Sequence, residues 1–175
     1  MHVNAKKMAF AGIALALTVI FIVLSGILEI NTLFLLAAAS FSIGIIIREF
    51  GSGFGLAFFI AAVLLGVILA PNKLYCITFA AMGLYILLVE LSWIFLSKSG
   101  KKHKIRIFWL LKYLIFNILY IPMLLFFPKL LFAGEIHQAF IIAALVLGQA
   151  ALFLYDKAYD YFQMHLWSKW RKFVI

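Results

Sequence analysis

Charged residues, cysteines and catalytic signatures are all scarce in this chain of 175 residues. Only 12% of the residues are charged and 67% are hydrophobic, whereas soluble domains contain roughly 45–50% apolar residues. A soluble domain of this size could not bury that surplus, which therefore predicts contact with lipid. The single cysteine, Cys76, excludes an internal disulfide, and its place in an apolar stretch favours a packing role over a reactive thiol.

The residue types that carry enzymatic or metal chemistry do not form any recognisable arrangement. No serine or cysteine has a credible base partner, and the four histidines fall in separate segments without the spacing of a metal site. The glycine-rich segment 51–55 has no preceding strand and no following Lys-Ser/Thr pair, so we interpret it as a tight turn and not as a phosphate-binding loop. We therefore expect no catalytic residue, no bound metal and no cofactor.

Six apolar stretches approach the roughly 20 residues that a helix needs to cross a bilayer. They predict an all-α integral membrane protein that forms one domain over residues 1–175. The predicted spans are 8–28, 33–47, 54–70, 74–96, 105–127 and 137–154. Residues 155–175 mix aromatic with charged side chains, a composition typical of an amphipathic helix lying at the membrane surface.

Positive charges are distributed unevenly between the two sides of these spans. Lys73 and Lys129 fall on one side, and Lys112 falls inside a span. Cationic loops stay in the cytoplasm during insertion, so we expect the other side, and with it both termini, to face the cytoplasm of a cell membrane. The net charge is +9, and the basic residues that produce it lie beside apolar segments. This position favours anionic lipid over nucleic acid as a partner. The other side carries twelve of the 15 Lys and Arg residues, namely Lys6, Lys7, Arg48, Lys98, Lys101, Lys102, Lys104, Arg106, Lys157, Lys169, Arg171 and Lys172.

Two charged residues, Glu90 and Lys112, lie deep inside the predicted spans. Glu90 and Lys112 each lie about seven residues from a cytoplasmic span end, roughly 10 Å deep at 1.5 Å per residue. Because an unpaired charge is costly in a membrane, we predict that they form an ion pair. A proton-handling or cation-handling role would need more carboxylates at that depth, and none is evident. Asn117 and Gln149, also deep, either line a cavity or bond to each other.

Two surfaces are candidates for binding a partner or a solute. Small residues at helical spacing let membrane helices approach closely. In the third span, Ala62, Gly66 and Ala70 favour internal packing, whereas in the first span internal packing and docking of a second protein are equal alternatives. The first-span residues are Ala5, Ala9, Gly12 and Ala16. Polar residues at the outer helix ends either only mark contact with water or form a binding mouth. The predicted solute-binding residues on this side, which we call the outer rim, are Asn31, Asn72, Lys73, Tyr75, Tyr120, His137 and Gln138.

Three segments carry a resemblance to a known family. They are the small-residue run 5–16, GIIIREFG at 44–51 and LAPNKLY at 69–75. Together with the six-span arrangement, they resemble the substrate-binding S components of energy-coupling factor (ECF) transporters, which capture vitamins and metal ions. The resemblance implies that the small residues of the first span dock on a membrane coupling subunit, with two ATPase subunits powering release. It also implies a solute pocket in the outer half, between the last three helices and the outer loops.

The leading prediction is thus the substrate-binding subunit of an ATP-driven importer for a vitamin-like solute. The chain departs from the family in its short outer loops and in the lack of a His/Asp cluster at the rim. The alternative is a non-transporting scaffold of a cell-envelope complex. If the chain is a scaffold, we expect a stable partner but no solute cavity. Asn117, Gln149 and the outer rim would then be bonded internally or solvated.

Overall fold

The computed structural model describes residues 5–28, 31–99, 103–126, 138–169 and 171. These residues form six α-helices followed by a short π-helical segment, and they contain no β-strand. The elements are α1 (Ala5–Ser25), α2 (Thr32–Phe50), α3 (Ser52–Leu69), α4 (Lys73–Lys98), α5 (Lys104–Phe126), α6 (Gln138–Tyr161) and the π-helical segment (Phe162–Trp167).

Five helices within the described residues are long and apolar enough to cross a membrane. They are α1 to α4 over their full lengths and α5 from Lys104 to Leu125. Such helices satisfy their own backbone hydrogen bonds, which is what a lipid environment demands. The chain is therefore an all-helical, multi-pass membrane protein, as the sequence predicted. The sixth predicted span overlaps α6, which is not one of these five.

The largest departure from the predicted elements lies at the C-terminal end. The helix α6 does not stop near residue 154 but runs to Tyr161 and continues directly into the π-helical segment. Tyr159 and Trp167 are buried on this continuation, with the Tyr159 ring 5.3 Å from the ring of Phe41 in α2. Residues 155–169 therefore do not form the separate surface helix that their composition suggested, because their aromatic face packs against the protein.

The helix α2 lies at the centre of the bundle. It packs against α1, α3 and α4, and every residue from Ala39 to Ile47 is buried. On the neighbouring α3, the small residues Ala62, Gly66 and Ala70 face inward. A Cβ atom at Gly66 would lie 3.4 Å from Ile22 Cδ1, so this face of α3 is in ordinary van der Waals contact. The prediction of internal packing for the third span is confirmed.

A single residue connects α2 to α3. Gly51 has a φ angle of 93°, a backbone conformation that favours glycine because a Cβ atom is strained there. Its N–H donates to Ile47 O at 2.9 Å, which closes the end of α2. The chain then enters α3 at Ser52, so the predicted turn over residues 51–55 shortens to Gly51 itself.

Ring contacts show which helix ends meet. Phe10 near the start of α1 lies 5.9 Å from Phe50 at the end of α2, and Phe50 lies 5.5 Å from Phe54 at the start of α3. Trp93 near the end of α4 lies 4.9 Å from Phe108 near the start of α5. We call this side of the bundle, where α1, α3 and α5 begin and α2, α4 and α6 end, the basic end. The described Lys and Arg residues lie at this end, except Lys73 and the buried Lys112, which is eight residues from the start of α5.

Candidate functional site

Two ion pairs, one buried and one partly exposed, lie near the basic end, with partners that differ from the prediction. Glu90 and Lys112 are both buried, at 3% and 4% exposure, but they are not paired with each other. Glu90 Oε1 accepts from Arg48 Nε at 2.9 Å, and Lys112 Nζ lies 2.7 Å from Asp156 Oδ1. The predicted pair is wrong because the partners come from Arg48, near the end of α2, and from Asp156, on the part of α6 that continues past the apolar run.

Glu90 is the centre of a hydrogen-bonded group that joins α2, α4 and α6. Its Oε1 also accepts from Tyr159 Oη at 2.6 Å, and that hydroxyl accepts from Gln163 Nε2 at 3.2 Å. The Arg48 guanidinium lies 5.5 Å from the Tyr159 ring centroid, within cation–π range. Since the Arg48 side chain is 41% exposed, it connects this buried group to the surface of the basic end.

Gly44 in α2 makes room for the Tyr159 hydroxyl. A Cβ atom at residue 44 would lie 1.9 Å from Tyr159 Oη and 2.7 Å from its Cζ, far inside contact distance. The absence of a side chain at this one position therefore lets the tyrosine cross α2 and reach Glu90. This pairing of a glycine with an aromatic residue 115 positions later has no signal in a single sequence.

Lys112 is the centre of a second group that joins α4, α5 and α6. Its ammonium group donates to Asp156 Oδ2 at 2.9 Å and lies 3.9 Å from Asp160 Oδ2. Tyr85 Oη donates to Asp156 Oδ1 at 3.4 Å, and the Phe108 ring centroid lies 4.7 Å from Lys112 Nζ. The expectation that no further carboxylate lies at this depth is wrong, because α6 supplies two.

One face of the C-terminal helix supplies both groups. Asp156, Tyr159, Asp160 and Gln163 follow an i, i+3, i+4, i+7 spacing, which places them on one side of a helix. This spacing was available in the sequence, but the run had been interpreted as a membrane-surface helix. We call the Arg48–Glu90–Tyr159–Gln163 group and the Lys112–Asp156–Asp160–Tyr85 group together the clasp, because they bind α6 to α2, α4 and α5.

The C-terminal end makes further polar contacts with α2. Trp167 Nε1 donates to Glu49 Oε1 at 3.0 Å, and Arg171 Nε donates to Glu49 Oε2 at 3.1 Å. Higher on α6, Tyr155 Oη and Ser40 Oγ of α2 lie 2.6 Å apart and share a hydrogen bond. The helix α6 is therefore tied to the central helix along several turns.

The deep polar residues of α5 and α6 bond to each other. Gln149 Nε2 donates to Asn117 Oδ1 at 2.9 Å, and Asn117 Nδ2 donates to the carbonyl of Tyr113 at 2.8 Å. Tyr120 Oη donates to the carbonyl of Ala144 at 2.7 Å. Interhelical bonding thus explains Asn117, whereas Gln149 Oε1 is buried without a hydrogen-bond donor.

The predicted outer rim has mostly structural contacts among the described residues. Asn72 Oδ1 accepts from the Leu74 N–H at 3.0 Å and so caps α4. Lys73 Nζ donates to the carbonyls of Val67 and Ala70 at the end of α3. Asn31 is exposed at the start of α2, and Tyr75 is half-buried. His137 and the Gln138 side chain lie outside the described part of the chain, so solute binding at this rim stays a prediction.

The predicted docking residues lie on the free face of α1. Ala5, Ala9, Gly12 and Ala16 are all exposed, and a Cβ atom at Gly12 would have no neighbour within 4 Å. Ala11, in contrast, is buried and packs in the core. The small residues of α1 are therefore divided between the two sides of the helix, and the four that were singled out face away from the bundle.

No family model, curated protein or solved structure matches this chain.

A cleft opens between α4, α5 and α6 beside the second group of the clasp. Its volume is about 380 Å³. Trp109, Tyr113 and Phe153 form partly exposed walls, while Lys112 and Asp156 lie at its buried side. Gln149 and Leu152 complete the cleft further along α6, together with Tyr85 from α4. Among the described residues, no group of three or more His, Cys, Asp or Glu side chains is arranged to hold a metal ion.

Proposed function

We propose that this chain is the substrate-binding S component of an ECF-type importer for a vitamin-like solute. In this proposal it docks on a membrane coupling subunit through α1, and two ATPase subunits of the complex drive release of the solute. The observation that carries the proposal is the outward position of Ala5, Ala9, Gly12 and Ala16 on α1. These residues leave a smooth helix face that a partner helix can approach closely.

The contrast between α1 and α3 supports this choice of docking face. The small residues of α3 are used inside the bundle, where Ala62 is fully buried and Gly66 contacts Ile22. The four small residues singled out on α1 are exposed instead, and among the described residues no atom lies within 4 Å of a Cβ at Gly12. In a membrane, helices associate by close packing and not by exclusion from water, so a free small-residue face favours a second membrane protein over lipid.

The proposal includes six spans with both termini in the cytoplasm. Its support is the gathering of cationic residues at the basic end, since cationic ends are retained on the cytoplasmic side. The helix α6 supplies the sixth span, and anionic lipid headgroups surround the basic end.

This topology predicts the labelling pattern of single cysteines. Cys76 is buried, so a Cys76→Ser background permits new cysteines to be placed at exposed Asn31 and Ser52. In intact cells, a membrane-impermeant maleimide should label Asn31→Cys and should label Ser52→Cys only after the membrane is permeabilised. If only Ser52→Cys is labelled in intact cells, the orientation is the opposite of the proposed one. If both cysteines are labelled equally, α2 does not cross the membrane between them.

The docking face predicts the effect of a bulky double substitution. Gly12→Trp combined with Ala16→Trp places two indole rings on the free face of α1, which should prevent a partner helix from approaching. Both residues are exposed, so the bundle itself should be retained. We expect loss of the coupling subunit and both ATPases from the material that co-purifies with the tagged chain in mild detergent, as measured by quantitative mass spectrometry.

A matched control uses the outward face of α6. Ala143 and Ala150 are exposed small residues two turns apart, so Ala143→Trp combined with Ala150→Trp adds the same bulk elsewhere. This variant should keep its partners. If the α1 variant keeps them as well, while remaining monodisperse, the docking face is not on α1.

A non-transporting scaffold is the second candidate, and a specific observation favours it. Asn72 and Lys73 cap helix ends, and Tyr120 bonds to a backbone carbonyl, so these residues of the outer rim already have partners within the protein. The same purification separates the two candidates. Two ATPases and a retained small molecule would establish the importer, whereas cell-envelope proteins without an ATPase would establish the scaffold.

A further inference from the structure

The cleft between α4, α5 and α6 is open on one side and apolar where it is accessible. Trp109, Tyr113 and Phe153 are between 42% and 53% exposed, so the cleft is open on the side where these rings lie. Lys112 and Asp156 also line it, but they are paired at 2.7 Å and their side chains are only 5% and 2% exposed. A polar occupant would therefore lose its hydration without gaining a partner, whereas an apolar chain has no such cost.

Two exposed cations lie beside the aromatic walls of the cleft, displaced toward the basic end. On α5, Arg106 precedes Trp109 by three residues and Tyr113 by seven, so it lies on the same face of that helix. On α6, Lys157 follows Phe153 by four residues, and its Nζ lies 5.7 Å from the Phe153 ring centroid. An apolar cleft with cations at the edge nearer the basic end is complementary to the two parts of an anionic phospholipid, the acyl chain and the phosphate.

Neither of these cations forms an ion pair with a carboxylate in the described part of the chain. Arg48, Lys112 and Arg171, in contrast, all have carboxylate partners there. The Lys157 ammonium group lies over an apolar ring on an exposed helix face, where an unpaired charge close to hydrocarbon is costly. A lipid phosphate supplies the anion that this face of the protein does not.

The depth of the cleft suits an acyl chain. Lys112, on its buried side, is eight residues from the start of α5, which is roughly 12 Å at 1.5 Å per residue. The cleft therefore lies within the hydrocarbon core, which is roughly 30 Å thick. One exposed carboxylate, Asp160, follows Lys157 by three residues and would repel a phosphate. Because it lies 3.9 Å from Lys112 Nζ, part of that repulsion is offset.

We propose that the cleft binds one acyl chain of an anionic phospholipid whose phosphate is held by Arg106 and Lys157. The general attraction of the basic end to anionic lipid thus becomes a single site between α5 and α6. The site rests on one part of the proposed function, the membrane crossing of α6. It requires neither docking through α1 nor a solute at the outer rim.

Quenching of Trp109 fluorescence by brominated lipid tests the proposal, because bromine quenches an indole ring that it contacts. The full-length protein is placed in phosphatidylcholine nanodiscs that contain increasing fractions of phosphatidylglycerol with brominated acyl chains. The Trp109 emission is the difference between the wild type and Trp109→Phe. We expect half-maximal quenching at a mole fraction roughly 30-fold lower than with brominated phosphatidylcholine, the effect of two cations near a membrane surface.

Equal quenching by the two brominated lipids would mean that only unselected lipid surrounds the cleft, and would overturn the proposal. Absence of quenching by both would also overturn it, and would leave the cleft to a partner protein. Glycerol 3-phosphate, which has the anion without a chain, should not restore the emission. Restoration by this soluble anion would show that a phosphate is held without an acyl chain in the cleft, contrary to the proposal.

Neutralising the two cations separates this site from a diffuse attraction to the basic end. Arg106→Gln combined with Lys157→Gln should abolish most of the preference for phosphatidylglycerol. Lys6→Gln combined with Lys7→Gln is the matched control, because it removes the same charge from exposed residues at the start of α1. The control should retain the preference, and equal losses in the two double variants would overturn the site. All four side chains are exposed, so the bundle should be retained.

The docking variant distinguishes this proposal from the proposed function. Gly12→Trp combined with Ala16→Trp should keep the preference for phosphatidylglycerol, measured again as the difference made by Trp109→Phe. If the importer proposal fails, for lack of a coupling subunit and ATPases, the lipid preference should remain. If the lipid preference is absent while those partners co-purify, the site alone is wrong.

Discussion

Asp156→Asn should destabilise the protein by about 3–5 kcal/mol, because it leaves Lys112 charged and buried without its closest carboxylate. The side chains of both partners are almost inaccessible, at 5% and 2% exposure, so the orphaned ammonium group cannot reach solvent by a small rotation. Unfolding of the purified protein in mixed micelles of mild detergent and sodium dodecyl sulfate, followed by circular dichroism, measures the loss.

Two further variants identify the cause of this loss. Lys112→Met combined with Asp156→Leu removes both charges and should recover most of the stability, since apolar residues often replace a buried ion pair without penalty. Asp160→Asn is the matched control, because Asp160 is 35% exposed and lies 3.9 Å from Lys112. It should change the free energy of unfolding by less than about 1 kcal/mol. Equal losses in Asp156→Asn and Asp160→Asn would contradict the assigned pair.

Gly44→Ala should destabilise the protein by about 3 kcal/mol, although it adds only one methyl group. The new Cβ atom would lie 1.9 Å from Tyr159 Oη, so the ring must move away from Glu90. Overpacking typically costs about 1–3 kcal/mol, and loss of a hydrogen bond to a charged group costs a similar amount. The same mixed-micelle unfolding measurement applies.

Gly12→Ala is the matched control for this prediction. No atom lies within 4 Å of a Cβ at residue 12, and alanine is favoured over glycine in a helix by about 1 kcal/mol. The control should therefore be as stable as the wild type or slightly more so. Tyr159→Phe in the Gly44→Ala background should recover part of the loss, because it removes the closest atom. A Gly44→Ala protein of wild-type stability would mean that Tyr159 does not occupy this position.

The clasp joins α6 to the helices α2, α4 and α5. The helices α1 to α4 share an apolar core around α2, which Leu152 and Tyr159 of α6 join. Polar contacts of Tyr155, Asp156 and Tyr159 in α6, and of Trp167 in the π-helical segment, add to this packing. These contacts lie at the end of α6 where the chain is cationic. The cleft adjoins them, and Lys112 and Asp156 form part of its lining.

Contacts between distant residues explain why the predicted charge pairing failed. From the sequence, Glu90 and Lys112 were the only charges deep inside the apolar runs, so pairing them was the simplest way to compensate both. Arg48 and Asp156 are 42 and 44 residues from Glu90 and Lys112, so the pairing leaves no local trace. The long side chain of Arg48 reaches inward from the end of α2, and Asp156 lies on the part of α6 that continues past the predicted span. A division into apolar spans and polar loops takes neither into account.

The sequence by itself determined the fold class and the end of the bundle where charge collects, because apolar runs of helical length have no stable alternative to lipid and because insertion sorts cationic loops. It also singled out the small residues of α1 and α3. Only the tertiary structure decided that the α3 residues pack inside while those of α1 face outward. It also decided the partners of Glu90 and Lys112, and the existence of the cleft. The physical reason is that periodicity describes one helix at a time, whereas pairing and cavities depend on how several helices are rotated against each other.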